Sequence, residues 1–406
     1  MTLTSSQRAL LHPLAALIVV SLALAVPSHG APPEAPTLPA TLEEDAAKKP
    51  VIDVSAKDLC VLYNNKKNPI IERFSLTGEL AAQWAAGTSN RGSYGSWDLP
   101  ANTRWGGIDV RRWRLGFESS WLDSFKLWGI IDINPQWDPF YKDIYELAVS
   151  YSRGQELTIG VGKIKGRYFS QEYNTRTRDL IVFEQSLLVN TLRPQQLTAA
   201  WINGKAGNWV YALAAYAGDY EPEFSQFDAG AVAQASLGYD FASVLNMDKA
   251  IVKFDYQGST SAKNSDGPGL FSSAFSLNTT FQKGCFYGYT DILGGIGRDT
   301  QGDVWGVVLT PTYFLILNKL QAVLRYQYAH GDSNGLKLQN RFEALAPDIQ
   351  STKGAGSDYN AVYFGLIYYI YRHNFSLMTG VEYNDMTGGK KDFSGWTYLA
   401  GLRVAF

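Results

Sequence analysis

Apolar and polar side chains alternate in short segments along most of this 406-residue chain. In the last segment, Tyr398, Leu402 and Phe406 share one parity, and Arg403 lies on the other. Alternation with a period of two residues predicts β-strands that have one apolar face. Sixteen such strands are predicted, at 73–86, 107–120, 124–134, 142–152, 155–165, 196–204, 208–218, 229–240, 248–258, 271–282, 284–293, 302–314, 318–330, 358–371, 373–384 and 394–406.

The connections between these strands alternate between short and long. Short connections such as "LDS", "RGQ", "KAGN" and "KG" alternate with long ones, at 87–106, 135–141, 166–195, 219–228, 259–270, 294–301, 331–357 and 385–393. Short periplasmic turns and long extracellular loops are typical of outer-membrane barrels. We therefore predict an all-β chain: residues 72–406 form a transmembrane antiparallel β-barrel of about 16 strands.

The composition favours a barrel in a bilayer over a soluble β-protein. Aromatic residues make up 14% of the chain, including 24 Tyr and 11 Trp, and aromatic side chains near strand ends suit the two membrane interfaces. After residue 30 no apolar run is long enough for a transmembrane helix. The alternative is a soluble β-sandwich or propeller, but the segments have no repeat period and nearly all carry an apolar face.

The N-terminal residues have the pattern of an export signal. Arg8 is followed by the apolar run "ALLHPLAALIVVSLALAV" and by small residues in "PSHGA", which predicts a signal peptide at 1–30; an uncleaved anchor is the alternative. Residues 31–71 are predicted to be a partly disordered periplasmic lead-in. The expected location is the outer membrane of a Gram-negative-type bacterium. The terminal Phe406 resembles the signal that barrel proteins present to their insertion machinery.

Charge and reactive side chains exclude several classes of function. The net charge of −2 gives no reason to expect a nucleic-acid partner. His330 and His373 are predicted at opposite rims and cannot share a site, so we expect no enzyme activity. Neither a metal site nor a cofactor is expected. Cys60 and Cys285 form either a disulfide at the periplasmic rim or two unrelated thiols.

A barrel of about sixteen strands encloses a water-filled channel. The 166–195 connection is long enough to fold into that channel and constrict it, although a surface loop is the alternative. Lys163 and Lys165 share the parity of lipid-facing Ile159 and Val161, so either a bulge aims them inward or they lie above the apolar band. The cations predicted to line the pore and guide anions are Arg112, Arg114, Lys126, Arg167, Arg176, Arg178, Lys253 and Arg325.

Five motifs follow one another between residues 107 and 220. They are "RRWRLGF" (111–117), "LTIGVGKIKGRYFSQE" (157–172), "TRTRDLIVFEQSL" (175–187), "LRPQQLTAAWING" (192–204) and "NWVYALAAYAGD" (208–219). In this order they resemble the phosphate-selective porin O and P family. The resemblance implies a sixteen-stranded, usually trimeric porin in which a loop after the fifth strand folds inward and basic residues guide anions. The chain departs from the family pattern at Lys163 and Gln185, where the family has Gln and a basic residue.

Together these features predict a porin that passes small hydrophilic solutes by passive diffusion, with a weak preference for anions. The expected partners are the lipid bilayer, two further copies of the chain in a homotrimer, and small anions. Two alternatives stay open. One is a dedicated phosphate or oxyanion channel, and the other is a structural or adhesive barrel.

Overall fold

A computed structural model describes residues 60–89, 104–260, 269–338, 354–371, 373–388 and 393–406 of the chain. The predicted signal peptide and most of the predicted lead-in lie outside the described residues, and so do parts of several predicted long loops. Within the described residues, no helix is both long and apolar enough to cross a bilayer.

Sixteen antiparallel strands pair in a closed ring, in which β9 pairs with β10 and β19 pairs with β2. The prediction of an all-β antiparallel barrel of about sixteen strands is confirmed. The barrel strands are β2 (Ile71–Ser89), β3 (Arg104–Trp121), β4 (Phe125–Ile133), β5 (Tyr141–Arg153), β6 (Leu157–Lys165), β7 (Gln196–Ala206), β8 (Trp209–Ala217), β9 (Ala231–Asp240), β10 (Lys249–Ser259), β11 (Phe271–Lys283), β12 (Phe286–Gly297), β13 (Val304–Ile316), β14 (Leu320–Gly331), β17 (Asp358–Tyr371), β18 (Phe375–Thr387) and β19 (Phe393–Ala405).

Among the described residues, three further strands and three short α-helices are not part of the ring. Strand β1 (Val61–Asn64) pairs with the start of β2, and β15 (Leu336–Leu338) pairs with β16 (Gly354–Gly356). The helices are α1 (Gln171–Asn174), α2 (Leu187–Leu192) and α3 (Ala242–Leu245). Both α1 and α2 belong to the connection between β6 and β7.

One rim of the barrel has tight turns and the other has longer connections. The turns at 207–208 and 284–285 have two residues each, and Gly207 and Gly284 adopt φ values of 58° and 55° that favour glycine. The 166–195 connection leaves from the opposite rim. The predicted alternation of short and long connections is therefore present.

The two faces of each strand differ in polarity as the alternation predicts. In β14, the side chains of Leu324 and Tyr326 are exposed on the outer surface, whereas Arg325 and Gln327 are almost fully buried inside the barrel. Apolar residues therefore cover the outside, where a lipid tail would contact them, and polar residues project into the interior.

Phe406 extends the seam between β19 and β2 by one further pair. The N–H of Phe406 donates to the carbonyl oxygen of Gly78 at 3.1 Å, and the N–H of Gly78 donates to the carbonyl oxygen of Phe406 at 3.2 Å. The Phe406 ring also covers Gly78, since a Cβ built on this glycine would lie 2.4 Å from the ring. The aromatic side chain fills the space that the glycine leaves in the sheet.

Replacing Gly78 with valine is expected to weaken this seam. The added side chain would displace the Phe406 ring, at a cost of about 1–3 kcal/mol. We expect a smaller fraction of folded barrel, measured by heat-dependent gel mobility of the detergent-solubilised protein. Ala82→Val, on the outward face of the same strand, is the control and should fold normally. Equal folded fractions for the two variants would contradict the prediction.

Candidate functional site

Residues 166–195, called the inward segment below, contact inward-facing side chains from well-separated strands. Arg114 of β3 donates to the hydroxyl oxygen of Thr177 at 2.8 Å. Asp291 of β12 accepts the N–H of Gln171 at 2.9 Å, and Arg325 of β14 donates to the carbonyl oxygen of Glu184 at 2.7 Å. Contacts with such distant parts of the ring require the inward segment to lie inside the barrel.

Apolar packing holds the inward segment against one side of the interior. Phe169, Tyr173 and the apolar residues of α2 form one buried cluster with side chains of β11 to β18. Val182 and Phe183 form a second cluster with side chains that include Tyr363. The inward segment therefore fills the side of the barrel built by β11–β19, and it leaves space beside the wall of β2–β10.

Two wall carboxylates hold the start of α1. Asp291 accepts the N–H groups of Gln171 and Glu172 and the hydroxyl of Ser170, and Asp255 accepts the N–H of Ser170 at 3.0 Å. The first N–H groups of a helix have no partner within the helix, and a carboxylate satisfies them well. These bonds fix the position at which the inward segment enters the barrel.

Arg325 forms a buried ion-pair triad with Glu172 and Glu382. Its guanidinium lies 3.1 Å from Glu172 Oε1 and 2.9 Å from Glu382 Oε2, and all three side chains are at most 1% exposed. The prediction that Arg325 lines the pore is therefore wrong. Its inward parity is correct, but a glutamate of the inward segment covers it and shields it from water.

Three more wall arginines also bind the inward segment. Arg111 donates to both carboxylate oxygens of Glu184, and Arg112 lies 3.9 Å from the same carboxylate. Arg403 donates to the carbonyl oxygens of Leu180, Val182 and Phe183. Burial raises the pKa of Glu184, but the charges of Arg111 and Arg112 outweigh it and hold the pKa below its ordinary value. Glu184 is thus a charged side chain that holds the inward segment against β3.

Arg111 and Arg112 can both point inward because β3 has a bulge. Arg112 pairs with Ala81 and Val110 pairs with Ala82, so Arg111 is an extra residue. Arg112 was predicted to line the pore, whereas the structure places it beside Glu184 and away from the cavity described next. Arg111 was absent from the predicted site, although the run of arginines in "RRWRLGF" indicated it.

A cavity of about 550 Å³ lies between the inward segment and the wall of β2–β10. Six of the eight predicted cations line it, namely Arg114, Lys126, Arg167, Arg176, Arg178 and Lys253. Lys165 and Lys249 line it as well, and the acidic lining residues are Glu79, Glu118 and Glu146. Eight basic side chains against three acidic ones make the cavity positive, although the whole chain carries a net charge of −2.

Several wall cations are partly neutralised by carboxylates. Arg114 bridges Glu79 at 3.3 Å and Asp132 at 2.6 Å, and Lys126 lies 2.8 Å from Glu118. On the inward segment, Arg176 is exposed and Arg178 is 32% exposed, at 4.0 Å from Asp179. The most accessible positive charge therefore comes from the inward segment.

Lys163 and Lys165 take different positions despite their shared parity. The ammonium group of Lys163 donates to the carbonyl oxygens of Glu221 and Pro222, in the loop between β8 and β9. That of Lys165 donates to the carbonyl oxygen of Thr175 at 3.0 Å, within the inward segment. Lys163 is thus covered by a loop of the long-loop rim, and Lys165 points into the barrel.

The remaining candidate groups are two thiols and two histidines. Cys60 and Cys285 are free thiols in the structure. His330 Nδ1 lies 2.8 Å from Asp358 at the long-loop rim, and His373 belongs to a connection at the opposite rim. Among the described residues, no group of His, Cys, Asp and Glu has the arrangement of a metal site.

No protein-family model and no curated protein sequence matches this chain. Solved outer-membrane porins do match its structure. Pseudomonas putida OprB is 11% identical with a TM-score of 0.57, and 82% of this chain and 94% of that chain are covered. Salmonella typhi OmpF is 10% identical with a TM-score of 0.55, and 85% of this chain and 100% of that chain are covered. The anion-selective porin from Comamonas acidovorans is 10% identical with a TM-score of 0.53, and 82% of this chain and 99% of that chain are covered. The chain is thus similar to these proteins in fold.

Proposed function

We propose that this chain is an outer-membrane porin, through which small hydrophilic solutes diffuse passively with a weak preference for anions. The observation that carries the proposal is the positive cavity between the inward segment and the wall of β2–β10. The porin fold of the neighbours supports it, and one of those neighbours is named as anion-selective. We also propose the location in the bacterial outer membrane, the trimer and the signal peptide at 1–30. Recognition of Phe406 by insertion machinery belongs to the same proposal.

Anion preference follows from where the charges lie. Arg176 and Arg178 project from the inward segment, and Lys126 lies on the opposite wall. All three act electrostatically on Glu118. An anion entering this part of the cavity meets more positive than negative charge, whereas a cation meets a barrier. The carboxylates that bridge Arg114 and Lys126 reduce this field, which is why we expect the preference to be weak.

A dedicated phosphate or oxyanion channel of the porin O and P family is the second candidate. The match of Arg111, Arg112 and Arg114 to "RRxRLGF" favours it. In this chain, however, Arg111 and Arg112 bind Glu184, and only Arg114 of the three lines the cavity. The arrangement therefore supports a general channel better than a dedicated one.

Recordings in planar bilayers test this proposal. The purified protein is expected to give stepwise currents, and a potassium chloride gradient should give a reversal potential of anion-selective sign. Replacing chloride with phosphate should lower the current if the channel is general. A phosphate current larger than the chloride current would favour the dedicated channel. The absence of stepwise currents would favour a structural or adhesive barrel.

A further inference from the structure

Aromatic side chains line the same cavity as the cations, and most of them belong to the wall. Trp128 of β4, Trp201 of β7 and Tyr211 of β8 contribute from the wall, and Tyr168 contributes from the inward segment. Trp128 and Trp201 lie with ring centroids 6.1 Å apart at 63°. The charged lining is therefore interrupted by an apolar patch, which small inorganic ions cannot use.

The polar atoms of Trp128 and Tyr168 are bound to the protein. Trp128 donates its ring N–H to Glu146 at 3.0 Å, and Tyr168 donates its hydroxyl to Asn203 at 3.0 Å. Their orientations are thus fixed before any solute arrives. Trp201 is only 5% exposed and belongs to a buried apolar cluster against which Trp128 and Tyr168 pack, so the half-buried rings of Trp128 and Tyr168 form the surface offered to a solute. A rigid aromatic surface binds at a low cost in conformational entropy.

The carboxylate of Glu146 places one cation beside this patch. Glu146 accepts from Trp128 through Oε2 and from Arg167 through Oε1 at 2.7 Å. Lys126 also lies near, with its ammonium nitrogen 5.9 Å from the centroid of the Trp128 ring. A positive charge and an aromatic surface are therefore available together, within the dimensions of one small organic molecule.

We infer that the cavity binds aryl carboxylates in preference to aliphatic or inorganic anions. The carboxylate of such a solute would face Arg167 or Lys126, and its ring would pack against Trp128. An inorganic anion lacks the apolar body, and an uncharged arene lacks the group that the cations attract. This inference rests on the proposed channel function, because it names the solute class that the same cavity selects.

Binding is tested with benzoate and acetate, which share the carboxylate and differ in the ring. Calorimetry on the detergent-solubilised protein should show benzoate binding about tenfold more tightly than acetate. Trp128→Leu should remove this difference, whereas Trp128→Phe, which keeps a ring, should retain most of it. Trp305→Ala, on the outer surface, is the control. Heat-dependent gel mobility shows that each variant has folded. Equal affinity for the two anions, or a Trp128→Leu protein that keeps the difference, would overturn the inference.

Recordings in bilayers separate this inference from the proposed channel. Benzoate should reduce the chloride current more than acetate at the same concentration, and Trp128→Leu should abolish this difference in block. Anion-selective currents that both acids reduce equally would overturn the inference and leave the channel intact. Tight benzoate binding without stepwise currents would overturn the channel and leave the binding site intact.

Discussion

Replacing both Arg176 and Arg178 with glutamate is expected to shift the selectivity of the proposed channel toward cations. The exchange converts the cavity lining from eight basic and three acidic side chains to six and five. It also places the new negative charges on the inward segment, where the exposed arginines now lie. The reversal potential in asymmetric potassium chloride should therefore move from its anion-selective value toward zero. The change should be smaller at 1 M salt, where the Debye length is about 3 Å, than at 0.1 M, where it is about 10 Å.

A control with the same change in charge separates this local effect from a general one. Lys66 and Lys67 are exposed in the turn between β1 and β2, outside the cavity. The double exchange of these lysines for glutamate should leave the reversal potential close to that of the unmodified protein. If the Arg176 and Arg178 variant also kept the original potential, these two arginines would lie outside the ion path.

Replacing Arg325 with methionine is expected to release the inward segment from the wall. The substitution leaves Glu172 and Glu382 buried without their cation, and loss of one partner of a buried ion pair costs about 3–5 kcal/mol. The single-channel conductance should rise and fluctuate, because part of the barrel interior is no longer filled. Limited proteolysis should cut within residues 166–195, which the unmodified protein should resist.

The triple variant Glu172→Gln, Arg325→Met and Glu382→Gln is the matched control. It removes the same arginine and also removes the charges that would be left unpaired. We expect a conductance and a protease resistance much closer to those of the unmodified protein, because neutral groups of similar size can replace a buried ion pair at little cost. Equal behaviour of the single and triple variants would show that the ion pair does not hold the inward segment.

The strands could be predicted from the sequence because their signal is local. The alternation around Leu324, Arg325 and Tyr326 indicates which side chains face inward, and each barrel strand carries a similar pattern. The position of the inward segment depends on contacts far apart in sequence, such as Glu172 with Arg325. No local pattern reveals that a wall arginine will be covered, so Arg325 was assigned to the pore.

A bulge and an aromatic side chain account for the other differences between the site residues predicted from the sequence and those found in the structure. A bulge in β3 adds Arg111 to the inward-facing residues, and parity alone cannot locate such an extra residue. Trp128 shares the inward parity of Lys126, but parity does not distinguish a side chain that lines a cavity from one that packs in the core. The partnership of Trp128 with Glu146 becomes visible only when β4 and β5 are paired.

The bulge in β3 also determines how the chain tolerates insertions and deletions. If the strand kept both Arg111 and Arg112 but had no bulge, strict alternation would turn one of the two toward the acyl chains, where an arginine at the bilayer midplane costs about 2–4 kcal/mol. With it, both reach Glu184. A one-residue deletion at position 111 would therefore leave the membrane-facing surface apolar and remove one anchor of the inward segment. Moving the deletion to position 113 or 115 would instead invert the faces of the strand and place charge in the lipid.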